Sequence, residues 1–163
     1  MKKFFIPVLL FVLTCGFYSC VSRQEPDYAP VTSSIGATNN NQAWSATLTD
    51  TLLNDTLTLH ALLKRDLLRI KFPVTASSYN LIAGNAQYFI FDDNGNVTNT
   101  FKLDPTYSNT VTSIVNNTVS AINKYVTGQF TARFIIDPTG INTDTLSFST
   151  VTFINGRFTA AYK

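Results

Sequence analysis

The sequence is poor in the side chains that catalysis and metal binding usually require. The 163-residue chain has one histidine, His60, one glutamate, Glu25, and two cysteines, Cys15 and Cys20. Because both cysteines lie near the start, the rest of the chain has no disulfide framework, no zinc site of the usual kind and no cysteine–histidine nucleophile pair. We expect a non-enzymatic protein without a cofactor, since acid–base chemistry would rest on aspartate, lysine and tyrosine alone.

Charge is also scarce. Charged residues make up 13% of the chain, against about 25% in an ordinary soluble domain. The 12 basic and 10 acidic residues nearly balance, and Lys2 and Lys3 account for the excess. A near-neutral domain has no electrostatic reason to bind nucleic acid or an acidic membrane face, so we expect no nucleic-acid partner.

The first 19 residues have the order of a secretory leader. Lys2 and Lys3 precede an apolar run over residues 4–18. That run is shorter than the roughly 20 residues that a membrane-spanning helix needs. We therefore predict a removable signal peptide at residues 1–19.

Ser19-Cys20 resembles a loose bacterial lipobox, in which the cysteine thiol receives a diacylglyceryl group before cleavage. Phe17 stands where leucine is usual. Cys15 is the rival lipidation site, and a secreted protein with an incidental cysteine is a further alternative. We predict lipidation at Cys20, hence a membrane partner through a lipid anchor. The expected location is the bacterial cell envelope, as an outer-membrane lipoprotein facing either the periplasm or the surface.

The composition changes near residue 42. Residues 21–41 contain Pro26, Pro30 and a run of asparagines, without a period that would bury a face. We predict a lipidated cysteine with a flexible tether at 20–41 and a single β domain at 42–163.

The predicted domain is rich in residues that favour strands. Asn94-Gly95 and Asn155-Gly156 each lie between apolar runs, which is the strongest short-range hairpin pattern, and turns are also expected at Asp104-Pro105 and 137–140. The fold class is therefore all-β, an antiparallel β-sandwich or flattened barrel of roughly ten short strands. The predicted strands are 44–49, 56–63, 67–72, 79–82, 87–92, 97–103, 110–115, 121–125, 129–136, 146–154 and 157–162.

Alternation is clearest at Leu57, Leu59 and Ala61, which share one side of their strand, with His60 on the other. Residues 61–70 also contain good helix formers, so a helix is the alternative there.

Four segments resemble conserved strands of small Bacteroidota lipoproteins that are grouped as a domain of unknown function. Residues 126–134 are similar to a V-x-G-x-F-x-F strand, and residues 151–158 to a closing N-G hairpin. The segment 44–46 resembles a W-x-A opening strand, and 78–81 a Y-x-L segment. The resemblance covers about residues 42–163 and implies no catalytic residue.

Several local patterns have a functional and a structural interpretation. Residues 91–96 resemble a calcium loop but lack its closing glutamate, so a hairpin turn is preferred and no metal site is expected. His60 is expected at the surface. The cluster of Lys64, Arg65, Arg69 and Lys71 suits an anionic sugar or lipid headgroup, although a solvated hairpin face is preferred.

Residues 88–91 are apolar on both sides. They predict a central strand, or else an exposed aromatic platform on which sugar rings stack. Tyr79, Tyr107, Tyr125 and Trp44 are candidates for the same surface.

The pattern Asp-Thr-Leu occurs three times, at 50–52, 55–57 and 144–146. It resembles the O-glycosylation acceptor of exported Bacteroidota proteins. This makes Thr51, Thr56 and Thr145 possible O-glycosylation sites, with Thr51 and Thr56 favoured because they flank an expected turn.

Two functions remain. The first is a binding module for a glycan or another envelope component, marked by an exposed aromatic patch or a polar cleft. The second is a structural or accessory lipoprotein that docks on a membrane protein complex, marked by an unpaired edge strand or a flat apolar face.

Overall fold

The computed structural model describes residues 31–117 and 124–162. These residues contain ten strands and no helix, which confirms the all-β prediction. The pairing is antiparallel throughout the ten strands and is consistent with a sandwich or flattened barrel. The strands are β1 (Ser34–Asn39), β2 (Gln42–Leu53), β3 (Thr56–Leu63), β4 (Asp66–Pro73), β5 (Ser78–Asn80), β6 (Ala86–Phe91), β7 (Val97–Leu103), β8 (Thr110–Asn117), β9 (Lys124–Ile136) and β10 (Thr150–Tyr162).

The strands pair in a ring. The order β10-β1-β2-β3-β4-β6-β7-β9 returns to its start because β9 also pairs with β10. On its other edge β9 pairs with β7 at its C-terminal end and with β8 along its N-terminal half. The short strand β5 pairs with β8 and ends this side branch.

The inner face of the ring is the hydrophobic core. Every second residue of β3 is buried, at Leu57, Leu59 and Ala61, as the period of two predicts. The helix alternative for 61–70 is wrong, because a turn separates β3 from β4 and its first residue, Lys64, has a φ of 54°.

Aromatic rings fill the centre of this core. The ring of Phe153 has its centroid 4.9 Å from that of Trp44 and 5.8 Å from that of Tyr88, both in edge-on contact. Trp44 is 6% exposed, so its expected place on an exposed aromatic surface is wrong. Burial raises the pKa of the Tyr88 hydroxyl, with the Asp66 carboxylate adding to the shift.

Strand β1 lies inside the segment that was predicted as tether. It pairs with β10 on one side and with β2 on the other, and Ile35 is 3% exposed. The β domain therefore begins before residue 42. The sequence of β1 has no clear alternation, since Gly36 and Ala37 follow Ile35 directly.

The predicted hairpin at Asn155-Gly156 is also wrong. Residues 150–162 form the single strand β10, and the pairing register shifts between Phe153 and Gly156. Asn155 has a φ of 52°, a left-handed conformation that asparagine tolerates and that a β-bulge can use. The pattern thus marks a bulge that extends the strand.

Other turns are confirmed. Gly95 has a φ of 82° in the β6–β7 turn, and backbone hydrogen bonds close turns from Asp104 to Tyr107 and from Asp137 to Gly140. The predicted strands 121–125 and 129–136 form the single strand β9, whose first described residue is Lys124. Residues 121–123 lie outside the described residues. Residues 146–149 precede β10 and are not in a strand.

Candidate functional site

Two Gly-x-Phe segments face each other across β9 and β10. Gly156 pairs with Phe130, and Phe158 pairs with Gly128. A Cβ added to Gly156 would lie 2.4 Å from Cε1 of Phe130, and one added to Gly128 would lie 2.4 Å from Cζ of Phe158. Each aromatic ring therefore covers the glycine of the other strand, and both glycines are required by this close approach.

The reciprocal pairs determine what faces outward between them. Gln129 pairs with Arg157, and on the other side Gln129 pairs with Thr112 of β8. All three side chains are exposed. Because the glycines and rings face inward, the side chains between them face outward and form a polar row across β8, β9 and β10.

This row lies in a groove of about 610 Å³, which we call the Gln129 groove. A smaller depression of about 140 Å³ adjoins it at the bulge and shares Thr112 and Gln129. The Gln129 groove is lined by Ser77, Thr112, Ser113, Ile114, Thr127, Gly128, Gln129, Arg157, Phe158 and Thr159.

The lining of the groove supplies neutral hydrogen-bonding groups and one cation. The side chains of Thr112, Gln129 and Arg157 have no hydrogen-bond partner within the described part of the chain. An amide and a hydroxyl both donate and accept, and a guanidinium donates in a planar fork. No aspartate or glutamate lines the groove. The site is therefore suited to a ligand with many hydroxyl or carboxylate oxygens.

The expected aromatic platform on β6 is present in part. Tyr88 and Ile90 are buried, whereas Phe89 and Phe91 point outward and are half-buried, with ring centroids 6.5 Å apart. The guanidinium of Arg69 lies over the Phe89 ring at 5.9 Å from its centroid.

The other predicted surface aromatics do not join this pair. The Tyr79 hydroxyl accepts a hydrogen bond from the Asn85 amide at 2.6 Å. The guanidinium of Arg133 covers the Tyr107 ring at 4.2 Å. Tyr125 is half-buried on β9.

Arg133 also approaches the carboxylate of Asp104 at 4.0 Å. The hydroxyl and backbone N–H of Thr106 donate to this carboxylate, and together with Arg133 they hold the pKa of Asp104 below its ordinary value. These contacts join the β7–β8 turn to β9, and we assign them a structural role.

The basic cluster is confirmed as an outer surface. Lys64 and Lys71 are exposed, and Arg65 pairs with Asp93 at 3.1 Å. His60 pairs across the sheet with Arg69 and lies on the same outer side, half-exposed.

The loop that resembled a calcium site is a hydrogen-bonded turn. The Asp92 carboxylate accepts from the side-chain amide and backbone N–H of Asn96 and from the backbone N–H of Asn94. These donors lower the pKa of Asp92, the side-chain amide of Asn96 most. Among the described residues, no three His, Cys, Asp or Glu side chains form a metal-binding group.

The predicted modification sites divide into two sets. Cys20, Cys15 and the signal peptide lie outside the described residues. Thr51 and Thr145 are exposed and Thr56 is half-exposed, and the turn at Asn54 and Asp55 between Thr51 and Thr56 is confirmed. Whether these threonines carry a sugar stays a prediction.

The sequence interpretation did not identify the Gln129 groove. The sequence does contain the pattern Gly-x-Phe twice, at 128–130 and 156–158. In two antiparallel strands, each glycine can then pair with the phenylalanine of the other strand.

No helix able to cross a membrane is found in the segments that the structure describes. Comparisons of the chain with protein-family models, curated proteins and solved structures found no match.

Proposed function

We propose that this chain is a non-enzymatic, lipid-anchored protein of the bacterial cell envelope that binds a glycan in the Gln129 groove. The leader and Cys20 support the anchor. The observation that carries the binding function is the row of Thr112, Gln129 and Arg157, whose exposed polar groups lack partners among the described residues.

The geometry of the groove suits a sugar chain. The polar side chains follow one another across β8, β9 and β10, and adjacent strands are about 4.8 Å apart. Successive sugar hydroxyls can therefore meet successive side chains. Ile114, which is 67% exposed, supplies apolar surface in the same groove for the carbon face of a sugar ring.

The test is a thermal-shift screen of the purified full chain against a panel of oligosaccharides. A ligand at about 100 times its Kd adds roughly 2.7 kcal/mol of stability, and therefore several degrees in Tm. Gln129→Ala should remove the shift. Gln42→Ala, an exposed glutamine on β2 outside the groove, is the matched control. A flat screen contradicts glycan binding.

The second candidate is an accessory lipoprotein that docks on a membrane protein complex. The strand β5 favours it, because β5 pairs only with β8 among the described strands and leaves an edge. Such an edge can pair with an extended segment of a partner. Asn80→Pro removes a backbone donor from this edge strand, so it should abolish capture of that partner while oligosaccharide binding persists.

A further inference from the structure

The outer face of β3, β4 and β6 carries an apolar row where a solvent-facing sheet is usually polar. Leu62 pairs with Leu67, and Leu67 pairs with Phe89. Their sequence neighbours Ala61, Leu68 and Tyr88 are buried, so the three side chains point away from the core. Leu62 is 48% exposed. A contiguous apolar row of this kind marks an interaction surface.

Cations surround this row. The described residues contain eight lysines and arginines, and Lys64, Arg65, Arg69 and Lys71 are half of them. Arg65 has an acidic partner, Asp93, whereas Lys64 and Lys71 have no ion pair within the described ranges. Half of the described cations therefore lie on one side of the domain, where Asp66 and Asp93 are the carboxylates beside Lys64 and Arg65.

The outward positions of the three strands carry no carboxylate. They are Thr56, Thr58, His60 and Leu62 on β3, Leu67, Arg69, Lys71 and Pro73 on β4, and Gln87, Phe89 and Phe91 on β6. We call these residues, with Lys64 and Arg65, the cationic face.

Arg69 links the polar and apolar parts of the cationic face. Its guanidinium donates to the Gln87 side chain and lies over the Phe89 ring. A cation held beside exposed aromatic and leucine side chains matches the boundary of a bilayer, where phosphates lie above acyl chains. A neutral partner would leave the unpaired cations without a counter-charge.

We propose that the cationic face lies against an anionic lipid surface and binds its phosphate headgroups. In the ring of strands, β3 and β4 lie half-way round from β9 and β10. Contact through the cationic face would therefore leave the Gln129 groove pointing away from the bilayer. The two surfaces are separate, so either one can fail experimentally without the other.

The test adds the full chain to lipid nanodiscs, with Cys15 and Cys20 replaced by serine so that no lipid anchor contributes to binding. A polarity-sensitive fluorophore is attached through Thr58→Cys on the cationic face, or through Thr112→Cys on the opposite side of the ring. Discs of neutral phosphatidylcholine are compared with discs in which a substantial fraction of the lipid is anionic phosphatidylglycerol.

We expect a blue shift at position 58 only with anionic lipid, and its loss at 1 M salt, where the screening length falls to about 3 Å. Lys71→Gln should lower the ratio of docked to free domain about five-fold, the effect of one cation near such a surface. Lys124→Gln, an exposed lysine on β9, should leave the ratio unchanged. An equal shift at position 112, an equal shift with neutral lipid, or no shift with anionic lipid would overturn the proposal.

Discussion

The replacement Gly156→Ala tests whether the reciprocal Gly–Phe pairs hold β9 and β10 together. The new methyl group would lie 2.4 to 2.6 Å from three carbons of the Phe130 ring. Carbon atoms in contact are normally about 3.5–4.0 Å apart. The ring must therefore retreat by about 1 Å from the glycine.

Phe130 has little room for this movement. It is 2% exposed, and its ring centroid lies 6.3 Å from that of Phe153. Extra atoms forced into a well-packed core lower the stability by about 1–3 kcal/mol. Gly→Ala in a compatible conformation raises the stability by about 0.4–1 kcal/mol, because it reduces the conformational entropy of the unfolded chain. We expect a net loss of about 1.3 kcal/mol, or roughly 5 °C in Tm.

The assay is urea unfolding of the purified chain, followed by the fluorescence of Trp44, the single tryptophan and a core residue. Gly36→Ala is the matched control, because its Cβ would meet only ordinary contact, 3.4 Å from the Trp44 carbonyl oxygen. In a Phe130→Leu background, Gly156→Ala should cost less, which would show coupling between the two positions. If Gly156→Ala and Gly36→Ala agree within about 0.5 kcal/mol, the ring does not depend on the glycine.

Four further outcomes are expected. Ile35→Ala should destabilise the domain by about 2–4 kcal/mol in the same urea assay, because β1 belongs to the core. A loss below about 0.5 kcal/mol would show that β1 is not part of the folded domain. Because folding lowers the pKa of Asp104, its stabilising effect is present above the unfolded pKa and is lost as pH falls through the folded one. The stability difference between wild type and Asp104→Asn should therefore shrink from pH 5 to pH 2, and a constant difference would contradict this reasoning. Cys20→Ala should move the chain to the soluble fraction when membranes are washed with 1 M salt, which screens binding through the cationic face, and pelleting after that wash would refute the anchor. Intact mass from the native host should exceed peptide plus lipid if Thr51 or Thr56 is glycosylated, and equality would refute the modification.

The fold class could be predicted because apolar and polar residues alternate over 56–61 in β3 and 68–72 in β4. Each buried apolar residue, such as Leu59 or Ile70, alternates with a polar or exposed neighbour, so the period alone identifies the core face. The period alone does not show which of residues 88–91 face the core, because all four are apolar. The structure places Tyr88 and Ile90 inward and Phe89 and Phe91 outward.

Local patterns failed where tertiary pairing determines the backbone. Asn155-Gly156 has the composition of a two-residue turn, and Asn155 does adopt a positive φ. Pairing with Phe130 on β9 nevertheless keeps Gly156 in the strand. The sequence does not reveal strand β1 for a related reason, since it is held by pairing with its two neighbours and Ile35 is its only large apolar residue.

The candidate site could not be predicted because its residues are distant in sequence. Thr112, Gln129 and Arg157 become neighbours only through the register of β8, β9 and β10. The sequence contains the two Gly-x-Phe segments, but their reciprocal packing depends on Gln129 pairing with Arg157. A shift of one residue would turn these polar side chains inward.

Hydrogen exchange of the full chain, with and without an oligosaccharide selected by the thermal screen, tests the central claim most directly. Bound sugar should slow amide exchange at residues 110–115, 126–131 and 157–159, around the Gln129 groove, and should leave β3 and β4 unchanged. Protection confined to β3, β4 and β6, or no protection under conditions that raise Tm, would contradict the assignment of glycan binding to the groove.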